Sequence, residues 1–123
     1  MKDLESRNDI AQMVNTFYEK VKADSLISYL FTDVAQVNWE HHLPVMYDFW
    51  ESIVFGKGNY KGNPMQSHIQ LHGKSPLKAE HFSRWLELFQ SNLKEHFSGP
   101  NTEIASQRAQ SIAMMIQLKT SGY

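Results

Sequence analysis

Cysteine is absent from the 123-residue chain. That excludes disulfides, thiolate metal ligands, cysteine nucleophiles and iron–sulfur clusters, and it leaves histidine as the main remaining metal ligand. Long apolar runs are missing too, the longest being Ile112 to Ile116. A membrane-crossing helix needs about 20 such residues, so no membrane association is expected. Met1 to Ile10 is polar and charged, with no apolar stretch of signal-peptide length, and a cytoplasmic protein is the resulting expectation.

Neither sign of charge is in excess. A formal net charge of −1 and a sequence pI near 6.6 argue against a basic face for nucleic acid or a polybasic membrane patch. Small molecules or proteins are the expected partners. Hydrophobic residues at 41% and charged residues at 20% leave no segment too poor in apolar groups to fold. One domain spanning residues 1–123 is expected, a size that buries roughly two-thirds of the unfolded surface. Strand-like alternation is also lacking, and the few proline and glycine residues fall mainly between stretches of helical period.

Those stretches predict an all-α chain of four substantial helices and two short ones. From Asn8 to Lys22 the apolar positions Ile10, Met13, Val14, Phe17, Tyr18 and Val21 fall on one face, with Ser6 or Asn8 as cap. Asp24 and Ser25 open a short helical turn through Leu26, Tyr29, Leu30 and Phe31, which Asp33 closes. A third stripe holds Trp39, His42, Leu43, Met46, Phe49, Trp50, Ile53 and Val54 behind an Asn38 cap. Pro44 conflicts with a regular start there, because it lacks an N–H and crowds the Glu40 carbonyl, so an irregular or kinked first turn is expected.

Gly56, Gly58, Asn59, Gly62, Asn63 and Pro64 make a loop. A brief helix from about Met65 to His72 follows, ended by Gly73 and Pro76. Leu77 to Phe97 carries the stripe Phe82, Trp85, Leu86, Phe89, Leu93 and Phe97, and Ser98, Gly99 and Pro100 break it. The last helix runs to about Lys119, with Ile104, Arg108, Ile112, Met115 and Ile116 expected on its inner side.

Tyr18, His42, His68 and Trp85 each lie on the apolar stripe of a different predicted helix. A buried phenol, indole or imidazole needs a polar partner, so four aimed at one core suggest an enclosed ligand or cofactor. Taken singly, Tyr18 and Trp85 read as core residues bonded to backbone, His42 as a solvent-facing helix-start residue, and Trp39, Phe49, Trp50 and Phe82 as packing. His68 and His72, four apart, would suit zinc. A zinc protease, however, needs glutamate directly after the first histidine, where this chain has Ile69. On its own, His68 reads as a surface or half-buried histidine on a short helix, but flanked by Met65, Ile69 and Leu71 it can also reach an iron atom in a flat apolar cofactor.

Short signatures occur in a specific order: Phe17-Tyr18-Glu19-Lys20-Val21, Trp39-Glu40-His41-His42, Phe49-Trp50, Gly56 to Pro64 leading to His68, Arg84-Trp85-Leu86-Glu87-Leu88-Phe89, and Gln107-Arg108-Ala109. In these, over nearly its whole length, the chain resembles the truncated haemoglobins, and within them the third group of small bacterial globins. The resemblance implies a two-over-two helical sandwich around haem b, in which the helices near Tyr18 and His42 cross those bearing Trp85 and Ile112.

By the same resemblance, His68 would be the iron ligand. Tyr18 and Trp85 would donate hydrogen bonds to a ligand on the other side of the haem, and His42 would stand at the distal gate. Phe31 would pack on the haem and Phe17, Met46 and Phe49 would line the pocket, with Met65 and Phe82 completing the cofactor set. Lys57, Lys61 and Arg84 are candidates for the haem carboxylates by proximity alone.

The function implied is binding of oxygen and other diatomic molecules. The alternative is a haem enzyme for nitric oxide dioxygenation or peroxide turnover, which would draw electrons from a separate reductase. A non-haem zinc-binding or interaction module using His68 and His72 is a third reading, and it leaves Tyr18 and Trp85 unexplained.

Overall fold

The computed structural model describes residues 1–56, 60 and 64–120, and for residues 64–67 and 69 the backbone alone. Every regular element among the described residues is helical: α1 Arg7–Ala23, α2 Trp39–Phe55, α3 Pro64–Lys74, α4 Ala79–His96 and α5 Pro100–Thr120, with a π-helical turn at Leu30–Val34 between α1 and α2. Four long helices and two short ones match the number expected from the periodicity.

Ser6 caps α1 by accepting from the Asp9 N–H, and the apolar stripe Ile10, Met13, Val14, Phe17, Tyr18 and Val21 is buried. After α1, the Asp24 carboxylate accepts from the Leu26 and Ile27 N–H groups, both at 3.1 Å, and turns the chain. The expected helical turn then widens: Ala35 N–H reaches back to the Leu30 carbonyl at 2.9 Å, an i to i+5 bond. Asp33 lies inside that wide turn instead of closing it.

Asn38 caps α2 by accepting from the His41 N–H. Helix α2 runs without a break from Trp39 to Phe55, with Pro44 inside it. Pro44 and Glu40 are both exposed, so the ring meets solvent and the one carbonyl deprived of its partner can be hydrated. Gly56, at φ 70°, closes the helix in the left-handed conformation that favours glycine.

Gly73 does not end α3, which continues to Lys74. The exit is fixed instead by a side chain: the Leu77 N–H donates to His72 Nδ1 at 2.9 Å. At the start of α4, the Lys78 N–H likewise donates to His81 Nδ1 at 3.0 Å.

The inner face of α5 departs most from expectation. Thr102, Ala105, Ala109, Ala113, Ile116 and Thr120 are buried, whereas Ile104 and Met115 are 38% and 56% exposed. Of the anticipated stripe, Ile116 is buried, Ile112 is half-buried and Arg108 is exposed. Three alanines at i, i+4 and i+8 let α5 approach its neighbours closely, and that outweighs the larger apolar groups on its other side.

Helix α1 packs on α2 and α4, and α5 packs on α4, α2 and α3. The pairs α1/α2 and α4/α5 form a two-over-two sandwich around one apolar core that includes Leu4, Met13, Phe17, Trp50, Phe89, Leu93 and Ala109. Asn92, fully buried on α4, donates to the Met13 carbonyl at 3.0 Å and joins the layers. Among the described residues no helix is long and apolar enough to cross a membrane.

Candidate functional site

Several of the half-buried aromatic rings face a cavity of about 290 Å³ bordered by all five helices. Phe17, Tyr18, Phe31, His42, Met46, Phe49, His68, Phe82 and Trp85 all line it, so nine of the residues singled out in the sequence meet in one space. The side chain of Met65 and all of Lys57 and Lys61 lie outside the described residues. Arg84 does not line the cavity. It is held by the Asp24 carboxylate at 2.7 Å and by Glu87.

Tyr18 and His42 arrive from the α1/α2 pair, and His42 Nε2 is 3.2 Å from the Tyr18 hydroxyl. Burial pushes the Tyr18 phenol up, so it keeps its proton and remains a donor at neutral pH. Burial, followed by the charges of His41 and His68, pushes the His42 imidazole below its ordinary value and keeps it neutral. A neutral ring has two tautomers. In one, Nε2 accepts the Tyr18 O–H, and in the other the Nε2–H donates to the phenol oxygen.

Phe17 braces this wall, with its ring 4.9 Å from Tyr18 and edge-on to Trp85 at 5.7 Å. Trp85 stacks on Phe89, and Phe89 stacks on Trp50. Trp50 therefore does more than the core packing expected of it, since it also borders the cavity.

The periodicity missed other lining residues, chiefly Tyr60, Leu71, Leu77 and His81. His81 was readable, because it stands four residues before Trp85 on the same helix face. Its Nε2 is 3.3 Å from the Tyr29 hydroxyl. Tyr60, in the glycine-rich loop, gave no periodic signal, and its ring meets Phe49 edge-on at 5.0 Å.

The donor set discriminates between kinds of metal site. Among the described residues no three His, Cys, Asp or Glu side chains gather to hold a bare metal ion. Among the described residues the His68 and His72 pair weighed for zinc therefore has no third such ligand, and His72 Nδ1 already accepts a backbone N–H. Iron carried by a macrocycle needs only one axial imidazole and apolar walls for the ring. His68 on α3, facing a cavity walled by Phe31, Phe49, Phe82 and Ile112, fits that requirement.

A helical sandwich enclosing an apolar cavity, with one imidazole from α3 and a phenol–imidazole pair from the α1/α2 layer, defines a small all-helical protein with room for a flat ligand. A family model described as bacterial-like globin matches residues 4–118. The chain is 30% identical over 115 residues to the group 3 truncated hemoglobin ctb of Campylobacter jejuni subsp. jejuni, covering 91% of this chain and 88% of that protein. The crystal structure of a group III truncated hemoglobin from Campylobacter jejuni superposes with a TM-score of 0.84 at 29% identity, covering 98% of this chain and 95% of that one. The chain belongs to the bacterial-like globins, a haem-binding family, and its helical sandwich is that of a truncated haemoglobin.

Proposed function

We propose that residues 1–123 form one haem b-binding domain that binds oxygen and other diatomic molecules, with His68 as the iron ligand. The observation that supports this most is the convergence of His68, Tyr18, His42 and Trp85 on a single cavity with mainly apolar walls. Haem, which His68 would hold, would supply an iron centre able to take a diatomic ligand.

The chain's own residues do the rest. Phe31, Phe49 and Phe82, which line the cavity, would pack on the flat ring and keep water out, which would strengthen any hydrogen bond inside. Tyr18, held protonated by burial, donates to a ligand that carries partial negative charge, and Trp85 supplies a second donor through its indole N–H. His42 stands at the gate and competes for the Tyr18 hydroxyl. The convergence of two donors on one space also favours a second reading, in which they act on an oxygen–oxygen bond during nitric oxide dioxygenation or peroxide turnover fed by a separate reductase.

The test is the absorption spectrum of the purified ferrous protein with and without carbon monoxide. A Soret band that shifts on adding carbon monoxide, and that His68→Ala abolishes, is the expected result. A normal five-coordinate ferrous spectrum in His68→Ala would overturn the ligand assignment.

A further inference from the structure

Behind the Tyr18–His42 wall stands a second layer. Trp39 does not line the cavity, yet its ring is 5.2 Å from Tyr18, 5.8 Å from His42 and 6.3 Å from Phe31, all of which do. Like Phe31 and His42 it is half-buried, so it is packed on the buried Tyr18 on one side and reaches solvent on another. The Lys22 ammonium sits over the indole, 4.6 Å from the ring centroid, and also pairs with Glu19 at 3.7 Å.

The contacts of Trp39 fit a movable part better than a core anchor. It is the first residue of α2, directly after the Asn38 cap and three positions beyond Gln36, whose φ of 51° puts a non-glycine residue in the left-handed region. Its ring stacks on Phe31 at an interplanar angle of 22° and stands edge-on to His42 at 83°. Because the indole stands edge-on against His42, an outward swing of that imidazole past it would need the indole to move, at the expense of the Phe31 stacking and the Lys22 contact.

We propose that Trp39 and Lys22 form an outer latch that sets the rate at which small ligands pass His42 between solvent and the cavity. The proposal rests on the haem reading and deepens it by naming what governs access. A latch of this kind changes the barrier to passage and leaves the bound state alone, because neither residue faces the cavity. Entry and exit must then change by the same factor, and affinity must stay fixed.

Carbon monoxide is the probe, since it is a weaker hydrogen-bond acceptor than oxygen and reports access with little contribution from Tyr18. Association is followed after flash photolysis and dissociation by ligand replacement. An exposed cation–π contact accounts for about a two- to fivefold change in each rate, which is the expected acceleration in Lys22→Met. Trp39→Ala is expected to accelerate both rates more, and Trp39→Phe, which keeps a ring in place if the alanine variant folds poorly, to fall between. Equal acceleration of entry and exit supports the latch. Unchanged rates, or a change in one rate only with a shifted equilibrium constant, overturns it. Absence of any haem spectrum in the unmodified protein would overturn the functional reading and the latch with it, whereas a normal spectrum with unaltered kinetics removes the latch alone.

Discussion

The Nε2 atom of His42 lies 3.2 Å from the Tyr18 hydroxyl, so the imidazole occupies the partner position that a cavity ligand would need. The phenol has one proton to give. When His42 Nε2 accepts it, a ligand must compete for it, and when His42 is the Nε2–H tautomer the Tyr18 O–H is free to turn into the cavity.

Replacing Tyr18 with Phe removes that proton while keeping the ring contacts with Phe17 and Trp39. A hydrogen bond to a charged acceptor contributes about 1.5–3 kcal/mol, so oxygen release should accelerate about ten- to a hundredfold. Stopped-flow displacement of oxygen by carbon monoxide gives the rate directly. A release rate within twofold of the original would remove Tyr18 from the donor role.

Replacing His42 with Leu leaves the phenol proton uncontested. An ordinary internal hydrogen bond contributes about 0.5–1.5 kcal/mol, so oxygen release should slow by roughly two- to tenfold. The same displacement assay decides the sign. Faster release would mean that His42 itself donates to the ligand, and the competition argument would fail.

Much of this site was legible because the sequence places its polar aromatic residues on helical stripes. Spacing alone aimed Tyr18, His42, His68 and Trp85 at one core, whereas the pocket roles of Phe17, Phe31, Met46, Phe49 and Phe82 came from the family resemblance, and all nine border the one cavity. Helical period says which residues share a face, but not which face the partners cover. On α5 the larger apolar groups Ile104 and Met115 pointed one way, and close packing through Ala105, Ala109 and Ala113 turned the helix the other way. Similarly, His81 takes the Lys78 N–H from the third position of α4, where a capping box usually has Glu or Gln, and His72 takes the Leu77 N–H five residues on, so ordinary cap propensity announces neither histidine.

Asp24 ties the turn after α1 to α4 through Arg84, and it gives the fold an acid-sensitive joint. Burial alone would raise its carboxyl, but the Arg84 guanidinium and the Leu26 and Ile27 N–H groups outweigh that and hold it below the ordinary 3.8. Its folded value is depressed, so its stabilisation is fully present above about 3.8 and is lost as pH falls through the lower folded value. Asp24→Asn should therefore destabilise the protein at pH 7 and lose its effect in strong acid. Arg84 is over one-third exposed and stays hydrated when its partner goes, which limits the cost at pH 7 to about 1–2 kcal/mol. Denaturant melts of both proteins at pH 7 and pH 3 check this, and an equal difference at the two values would rule out the carboxylate as its source.

The orientation of α5 predicts opposite outcomes for two substitutions six residues apart. Ala109 is fully buried, so Ala109→Leu forces extra methylenes into a closely packed interface and should cost about 1–3 kcal/mol. For a chain of this length each kcal/mol lowers the melting temperature by roughly 3–6 °C. Met115 is 56% exposed, so Met115→Gln should stay within about 0.5 kcal/mol of the original. Had the larger apolar residues faced inward, the order would be reversed, because the glutamine amide would be buried without a partner while a leucine at position 109 would reach solvent. Thermal melts of the two variants beside the unmodified protein separate the two orientations, and a larger loss in Met115→Gln than in Ala109→Leu would show that α5 turns its other face to the core.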